Sequence, residues 1–238
     1  MVAGRGGDRE SRILDEPRGA AAAQGLAPRV ISVVSVHGLW MRGASMAALR
    51  ARLERRSFAF HDFSYSSVTA PLADCAAALA AFVERVPGTT VHLVGHSLGG
   101  VLACAMLERG LPARLGRIVC LGSPLRGSRT AARLARWPGG QRLIGKCLCE
   151  VQARGGFSAW PAGVEVGSIA GSLPFGVGRL FGAFPEPNDG TVAVDETLIA
   201  GLADHIVLPV SHVALLWSRA VADQTEHFLV HGRFRRPA

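Results

Sequence analysis

Ten consecutive residues, Val91-His92-Leu93-Val94-Gly95-His96-Ser97-Leu98-Gly99-Gly100, restrict what this chain can fold into more than any other stretch. A short apolar run, Val91 to Val94, enters Gly95-His96-Ser97-Leu98-Gly99, a match to G-x-S-x-G, and a helical pattern follows at once through Val101, Leu102, Ala105, Met106 and Leu107. Strand, sharp turn and helix in direct succession are the setting in which this pentapeptide raises a serine hydroxyl above the end of a sheet. Gly95 and Gly99 carry no Cβ, so strand and helix can approach closely on either side of the turn. A chain with 29 glycines meets such a pattern by chance, so the weight rests on the flanking strand and helix. Ser97 is the candidate nucleophile. The competing reading is a tight strand-to-helix turn with a capping serine.

The rest of the chain repeats strand and helix signals at similar spacing. Arg29 to Val36 is a β-branched run, as in a strand buried on both faces. A helix with Met46, Leu49 and Leu53 on one face follows, then a strand over Phe58–Phe63 and a helix from Pro71 with Leu72, Cys75, Leu79, Phe82 and Val86 inward. After the Val91 strand come a strand at Arg117–Leu121, helical pieces near 128–136 and 141–152 split by Trp137-Pro138-Gly139-Gly140, and a strand at Val164–Ala170. A glycine- and proline-rich loop then leads to Pro187-Asn188-Asp189-Gly190, a last strand spans Ile206–Val210, and a helix runs from about Val213 to Val230. This alternation predicts an α/β fold: about six mainly parallel strands in a doubly wound sheet, with a small helical cap near residues 126–154. Residues 1–28 are rich in Gly, Ala and Arg without periodicity and read as a disordered leader ahead of a domain at 29–238.

Charge and cysteines narrow the setting. The net charge of +8 is carried almost wholly by arginine, since Lys146 is the only lysine, and residues 109–154 hold ten basic residues against one acid, Glu150. No recognition helix, stacking aromatic set or zinc spacing accompanies that charge, so nucleic acid is not an expected partner. Cys75, Cys104, Cys120, Cys147 and Cys149 are odd in number and lack metal-ligand spacing. They read as reduced thiols of a cytoplasmic protein. The longest apolar runs are about eight residues, against about 20 for a membrane span. Nothing in the pattern calls for a nucleotide, flavin or metal, so no cofactor is expected.

Three residues fall at the carboxyl ends of expected strands, where open α/β sheets hold their ligands: Ser97, Asp189 and His212. A serine hydroxyl attacks well only when an imidazole takes its proton, and a carboxylate holds that imidazole in the required tautomer. Acyl transfer also needs N–H groups aimed at the developing oxyanion. Leu98, after the serine, supplies one. The turn His37-Gly38-Leu39-Trp40 supplies the other, from Leu39 in the first reading and Trp40 in the second. Trp40 and His37 are expected against the substrate, with His37 organising its loop rather than acting as base.

The elbow Gly95 to Gly100, the His37-Gly38 turn, Gly122-Ser123-Pro124-Leu125-Arg126-Gly127-Ser128, Asn188-Asp189-Gly190 and a histidine 23 residues after that aspartate occur together. In this set the chain resembles the α/β-hydrolase superfamily, and within it the bacterial triacylglycerol lipases and esterases, over roughly residues 30–230. The resemblance implies an α/β-hydrolase fold and cleavage of carboxylic esters through an acyl-enzyme. It implies Asp189 as the acid and His212 as the base, and the short chain implies a small lid. A thioesterase, an acyltransferase and a non-catalytic binding protein of the same fold are the alternatives.

Asp195 is the competing acid. His205 precedes the last expected strand, His227 and His231 lie in or beyond the terminal helix, and His92 reads as a packing residue. A small-molecule ester or lipid is the expected partner. Leu134, Trp137, Leu143, Ile144 and Leu148 would form the apolar underside of the cap, while Arg129, Arg133, Arg136, Arg142 and Lys146 face water or associate weakly with an anionic membrane surface.

Overall fold

The computed structural model describes residues 31–56, 58–161, 163–176 and 186–236. The expected leader, residues 1–28, lies outside the described residues, as does 177–185 of the glycine- and proline-rich loop. Six strands, β1 (Ile31–Val36), β2 (Ala59–Phe63), β3 (Thr90–His96), β4 (Leu115–Leu121), β5 (Val166–Gly171) and β6 (Asp204–Leu208), form one sheet in the order β2-β1-β3-β4-β5-β6. Every described pairing in it is parallel.

Parallel strands need crossovers, and helices supply them as far as β5: α1 (Ala47–Glu54), α2 (Leu72–Arg85), α3 (Leu98–Leu107), and α4 (Arg129–Ala135) with α5 (Gly140–Ala153). Among the described residues β5 and β6 are joined through a 3₁₀ turn, Val194–Thr197, and α6 (Arg219–His231) follows the last strand. Successive strand residues point to opposite faces, and both faces are covered. Val34, Val36, Leu93, Ile118 and Cys120 join the core beneath α2 and α3, whereas Val33, Val94, Val119, Leu121 and Ile169 join the core beneath α1 and α6. The sheet is doubly wound, as its apolar runs require.

The chain leaves β1 toward β2 on one side and returns to β3 on the other, so the strand order reverses between β1 and β3. Val36 is in register with Gly95, and His96 with Leu121. The carboxyl ends of β1, β3 and β4 therefore open at one level, the place where such sheets bind ligands.

Strand ends shift by a residue or two from the sequence reading, as at β4 and β5, and the last two elements and the second cap helix differ more. The last strand is Asp204–Leu208, so His205 lies within it, and Pro209, which has no N–H to donate, stands just beyond. The terminal helix begins at Arg219 rather than Val213, because the Ser218 side chain caps it by accepting from Val221 N–H, and only a short 3₁₀ turn, Ala214–Leu216, precedes it. The second cap helix is interrupted at Gly145.

Candidate active site

Ser97 stands between β3 and α3 with φ 54° and ψ −118°, a conformation L-residues rarely adopt, which costs about 1–3 kcal/mol. Close packing on all sides holds it there. A methyl group on Gly95 would lie 2.5 Å from Gly100 N, and one on Gly99 would lie 2.0 Å from Val36 O. Neither neighbour is a side chain that could swing aside. Ser97 N–H donates to Leu121 O of the adjacent strand at 2.9 Å. The elbow is thus fixed by backbone geometry and glycine.

Leu98 begins α3, so its N–H lies at the positive end of the helix dipole. The 37–41 segment turns directly over Ser97: a methyl group on Gly38 would be 3.1 Å from both Ser97 Cβ and His96 Nδ1. His37 builds this turn from beneath. Its side chain is fully buried, stacks on Tyr65 with ring centroids 4.6 Å apart, and contacts Gly38 O through Nδ1 at 2.8 Å. Burial lowers its pKa. His37 does not line the cavity described below, so its expected contact with substrate is corrected: the imidazole is shut in by Tyr65, whereas Trp40 lines the cavity.

Asp189 and His212 meet at the far end of the sheet. Asp189 Oδ2 accepts from His212 Nδ1 at 2.7 Å, and both side chains are buried. Asp189 Oδ1 accepts the N–H groups of Thr191 and Val192 at 2.9 and 2.7 Å. Gly122, just past β4, makes the space. With φ 55°, a methyl group there would stand 3.0 Å from Asp189 Oδ2 and 3.1 Å from His212 Nδ1. Asn188 shapes the acidic turn, its Oδ1 accepting Gly190 N–H at 2.9 Å. The competing acid, Asp195, is elsewhere: its carboxylate pairs with Arg129 and is half exposed. Arg129 is consequently ion-paired, a correction to its expected solvent-facing role.

His96, which the sequence reading left unassigned, ties the two halves together. Its Nε2 lies 3.1 Å from the main-chain oxygen of His212, and the two rings are 4.7 Å apart. A carbonyl only accepts, so Nε2 carries the proton. Burial, and then the neighbouring His212, lower the His96 pKa to about 3, which keeps the ring neutral. Nothing in G-x-S-x-G singles out the first variable position for this contact.

Ser97, Leu98, Leu39, Trp40 and His212 line one cavity of about 200 Å³, closed on the far side by Leu134 of α4 and by Ile144 and Leu148 of α5. The walls are chiefly apolar. Of the expected underside of the cap, Trp137 and Leu143 are instead exposed, at 57% and 53%. Glu196, also missed from sequence, anchors the start of α4: its buried carboxylate accepts Arg129 N–H at 2.6 Å and Ala193 N–H at 2.9 Å. Among the remaining histidines, His92 is a packing residue whose Nδ1 accepts Arg117 N–H at 2.8 Å. His205 meets Thr197 at 2.9 Å. Among the described residues no group of three His, Cys, Asp or Glu side chains is arranged to hold a metal ion.

The model of the alpha/beta hydrolase family matches residues 33–234. The chain belongs to that family. Solved structures carry the same fold at low identity. The mature lipase BlEst2 of Bacillus licheniformis superposes with a TM-score of 0.69 at 17% identity, covering 87% of this chain and 93% of that one. The metagenomic carboxyl esterase MGS0156 gives 0.62 at 22% identity, covering 86% and 71%. The NocB thioesterase domain from the nocardicin cluster gives 0.50 at 21% identity, covering 83% and 92%. No curated protein matches the chain by sequence. Among its described residues no helix is long and apolar enough to cross a membrane.

Proposed function

We propose that this alpha/beta hydrolase cleaves carboxylic esters through an acyl-enzyme on Ser97. The observation that carries the reading is the strained Ser97 elbow opening into the apolar cavity that His212 also lines, with Asp189 bound behind the imidazole.

The chemistry follows from the hydrogen bonds. Nδ1 of His212 faces the Asp189 carboxylate, so Nδ1 bears the proton and the lone pair lies on Nε2. Ser97 Oγ attacks the ester carbonyl as Nε2 takes its proton. The N–H groups of Leu39 and Leu98 receive the oxyanion. Collapse of the tetrahedral intermediate expels the alkoxide, which leaves as the alcohol with the proton from Nε2. Water then attacks the acyl-enzyme by the same steps in reverse order of roles, releasing the carboxylic acid and restoring Ser97. Asp189 stabilises the imidazolium formed twice per turnover.

A thioester would acylate Ser97 through the same step, and the likeness to a thioesterase domain keeps that substrate beside the ester. The five thiols, all free, support a reducing cytoplasmic setting. The test is labelling of Ser97 by a fluorophosphonate, run alongside hydrolysis of p-nitrophenyl butyrate and of butyryl thioester by the purified full chain. Labelling with ester turnover is the expected result. No labelling and no turnover of either substrate would defeat the hydrolase reading.

A further inference from the structure

Trp40 joins two parts of the molecule 103 residues apart: its indole Nε1 donates a 2.8 Å hydrogen bond to the main-chain oxygen of Leu143, in the first turn of α5. The helix is broken two residues later, at Gly145, with φ 75° and ψ 168°. Past the break, Lys146 N–H goes to Val68 O at 2.8 Å instead of into the helix ladder. A methyl group on Gly145 would lie 2.5 Å from Val68 Cα, so the break is seated against the loop that follows β2. The first turn of α5 therefore projects from a fixed point and carries Ile144 into the cavity wall.

Trp40 also has φ 59°, in a turn closed by Met41 N–H on Gly38 O at 3.3 Å. That third position of a turn ordinarily takes glycine or asparagine when φ is positive, and a bulky residue there is an outlier. The sign of φ sets which way the Leu39–Trp40 peptide faces, and so governs the backbone beside the Leu39 N–H. Core packing does little to hold Trp40 in this state, because its side chain is 58% exposed. The bond to Leu143 ties the side chain to α5.

We propose that Trp40 is a positioning residue that locks the 38–41 turn to the first turn of α5, so the oxyanion donors are aligned only while α5 lies over the cavity. The inference rests on the ester-hydrolase reading of the same site. Trp40→Phe removes the indole N–H and keeps an aromatic ring. In the purified full chain, kcat for p-nitrophenyl butyrate is expected to fall about tenfold while KM changes by about twofold or less. Affinity for phenylboronic acid, a tetrahedral mimic, is expected to fall with kcat. Amide hydrogen exchange is expected to quicken together in residues 38–41 and 140–144.

Exchange does not depend on turnover, so it separates the two readings. A wild type without ester turnover defeats the ester-hydrolase reading, yet coupled exchange still judges the lock. Unchanged exchange at 140–144 overturns the lock whatever the activity. Quickened exchange with an unchanged kcat in an active enzyme overturns the positioning role. Gly145→Ala disturbs the same contact from the α5 side. It is expected to lower kcat similarly, and the double variant to be no worse than the worse single one. Additive losses would overturn the coupling.

Discussion

Asp189 and His212 are joined twice, by Oδ2 to Nδ1 at 2.7 Å and by the Asp189 main-chain oxygen to His212 N–H at 2.9 Å. The backbone bond sets the distance between the two residues, and the side-chain bond sets the plane of the imidazole. With Thr191 and Val192 donating to Oδ1, neither carboxylate oxygen is idle. Such a carboxylate orients its partner without freedom to wander, which is what a base of fixed tautomer requires.

Substitution at this pair should separate the two candidate acids. Ser97→Ala and His212→Ala are expected to lower kcat by about 10⁴- to 10⁶-fold, and Asp189→Asn by about 10⁴-fold. Asp195→Asn breaks only a partly exposed ion pair with Arg129 and should leave turnover within about twofold, because such pairs contribute about 0–1 kcal/mol. Steady-state kinetics on the four variants decide it. Full activity in Asp189→Asn with loss in Asp195→Asn would reverse the assignment.

Gly122→Ala tests the space under the pair. The new methyl group would meet Leu215 Cδ1 at 2.6 Å and crowd both the Asp189 carboxylate and the His212 ring, at a residue with φ 55°. Overpacking and strain together are expected to cost about 2–4 kcal/mol of stability and about 10²-fold in kcat. Gly139→Ala is the control: its φ is 77°, but nothing lies within 4 Å of the added Cβ. It should cost about 1 kcal/mol from backbone strain alone and leave kcat unchanged. Urea unfolding and initial rates read both. Equal effects of the two variants would mean that the space under the pair does not matter.

The parts of this fold that the sequence exposed are those written in short-range pattern. The β-branched run ending at Val36 and the succession from Val91 through Gly100 each specify a local structure, and the sheet and elbow follow. Chain order brought Asp189 and His212 to the right edge, because both follow strands of that sheet. What escaped depends on contacts between distant segments. His96 finds the His212 main chain 116 residues away, and Trp40 finds Leu143. Main-chain acceptors leave no mark on residue type, so neither contact could be read in advance. The His37 error has a similar origin: its place under Tyr65 is decided by the neighbouring strand, β2.

Acid should unfold this protein by way of its buried histidines. Burial lowers His96 to about 3 and His92 to about 4, and it lowers His37 and His205 as well. In the unfolded chain all four take a proton near pH 6.5. The unfolded state therefore binds more protons below that pH, and stability falls as pH drops from about 6.5 toward 4. Two fully shifted histidines give a slope of about 2–3 kcal/mol per pH unit near pH 5. His92→Gln, whose amide oxygen can still accept Arg117 N–H, should remove about half of that slope. Urea unfolding at pH 7, 6 and 5 measures it, and a flat profile would mean that these rings are not held neutral.

The exposed Arg136, Arg142 and Lys146 of the cap lie in the same segment as the exposed Trp137 and Leu143. Weak binding to vesicles containing phosphatidylglycerol is expected at low salt, fading as the Debye length shrinks to about 8 Å at 0.15 M. Arg136→Glu with Arg142→Glu should abolish it while leaving hydrolysis of a short soluble ester intact. Binding that persists at high salt, or in that variant, would rule out the charge.

Acyl-chain preference should follow the size of the cavity between Ser97 and the cap. The cavity, of about 200 Å³, is closed on the far side by Leu134, Ile144 and Leu148, so it can bury only a limited length of chain. Each methylene buried there contributes up to about 0.8 kcal/mol, so kcat/KM should climb by up to about fourfold per carbon and then level off. Ile144 is fully buried in the wall, and replacing it by Trp should move that break to shorter chains. Leu134→Ala, on the facing helix, should move it to longer ones. Leu134 lies on α4, outside the turn that Trp40 holds, so turnover of the acetyl ester should change by about twofold or less in Leu134→Ala. A series of p-nitrophenyl esters from acetyl to decanoyl, run on the wild type and both variants, makes the comparison. Three superimposable profiles would show that the acyl chain lies somewhere other than under α4 and α5.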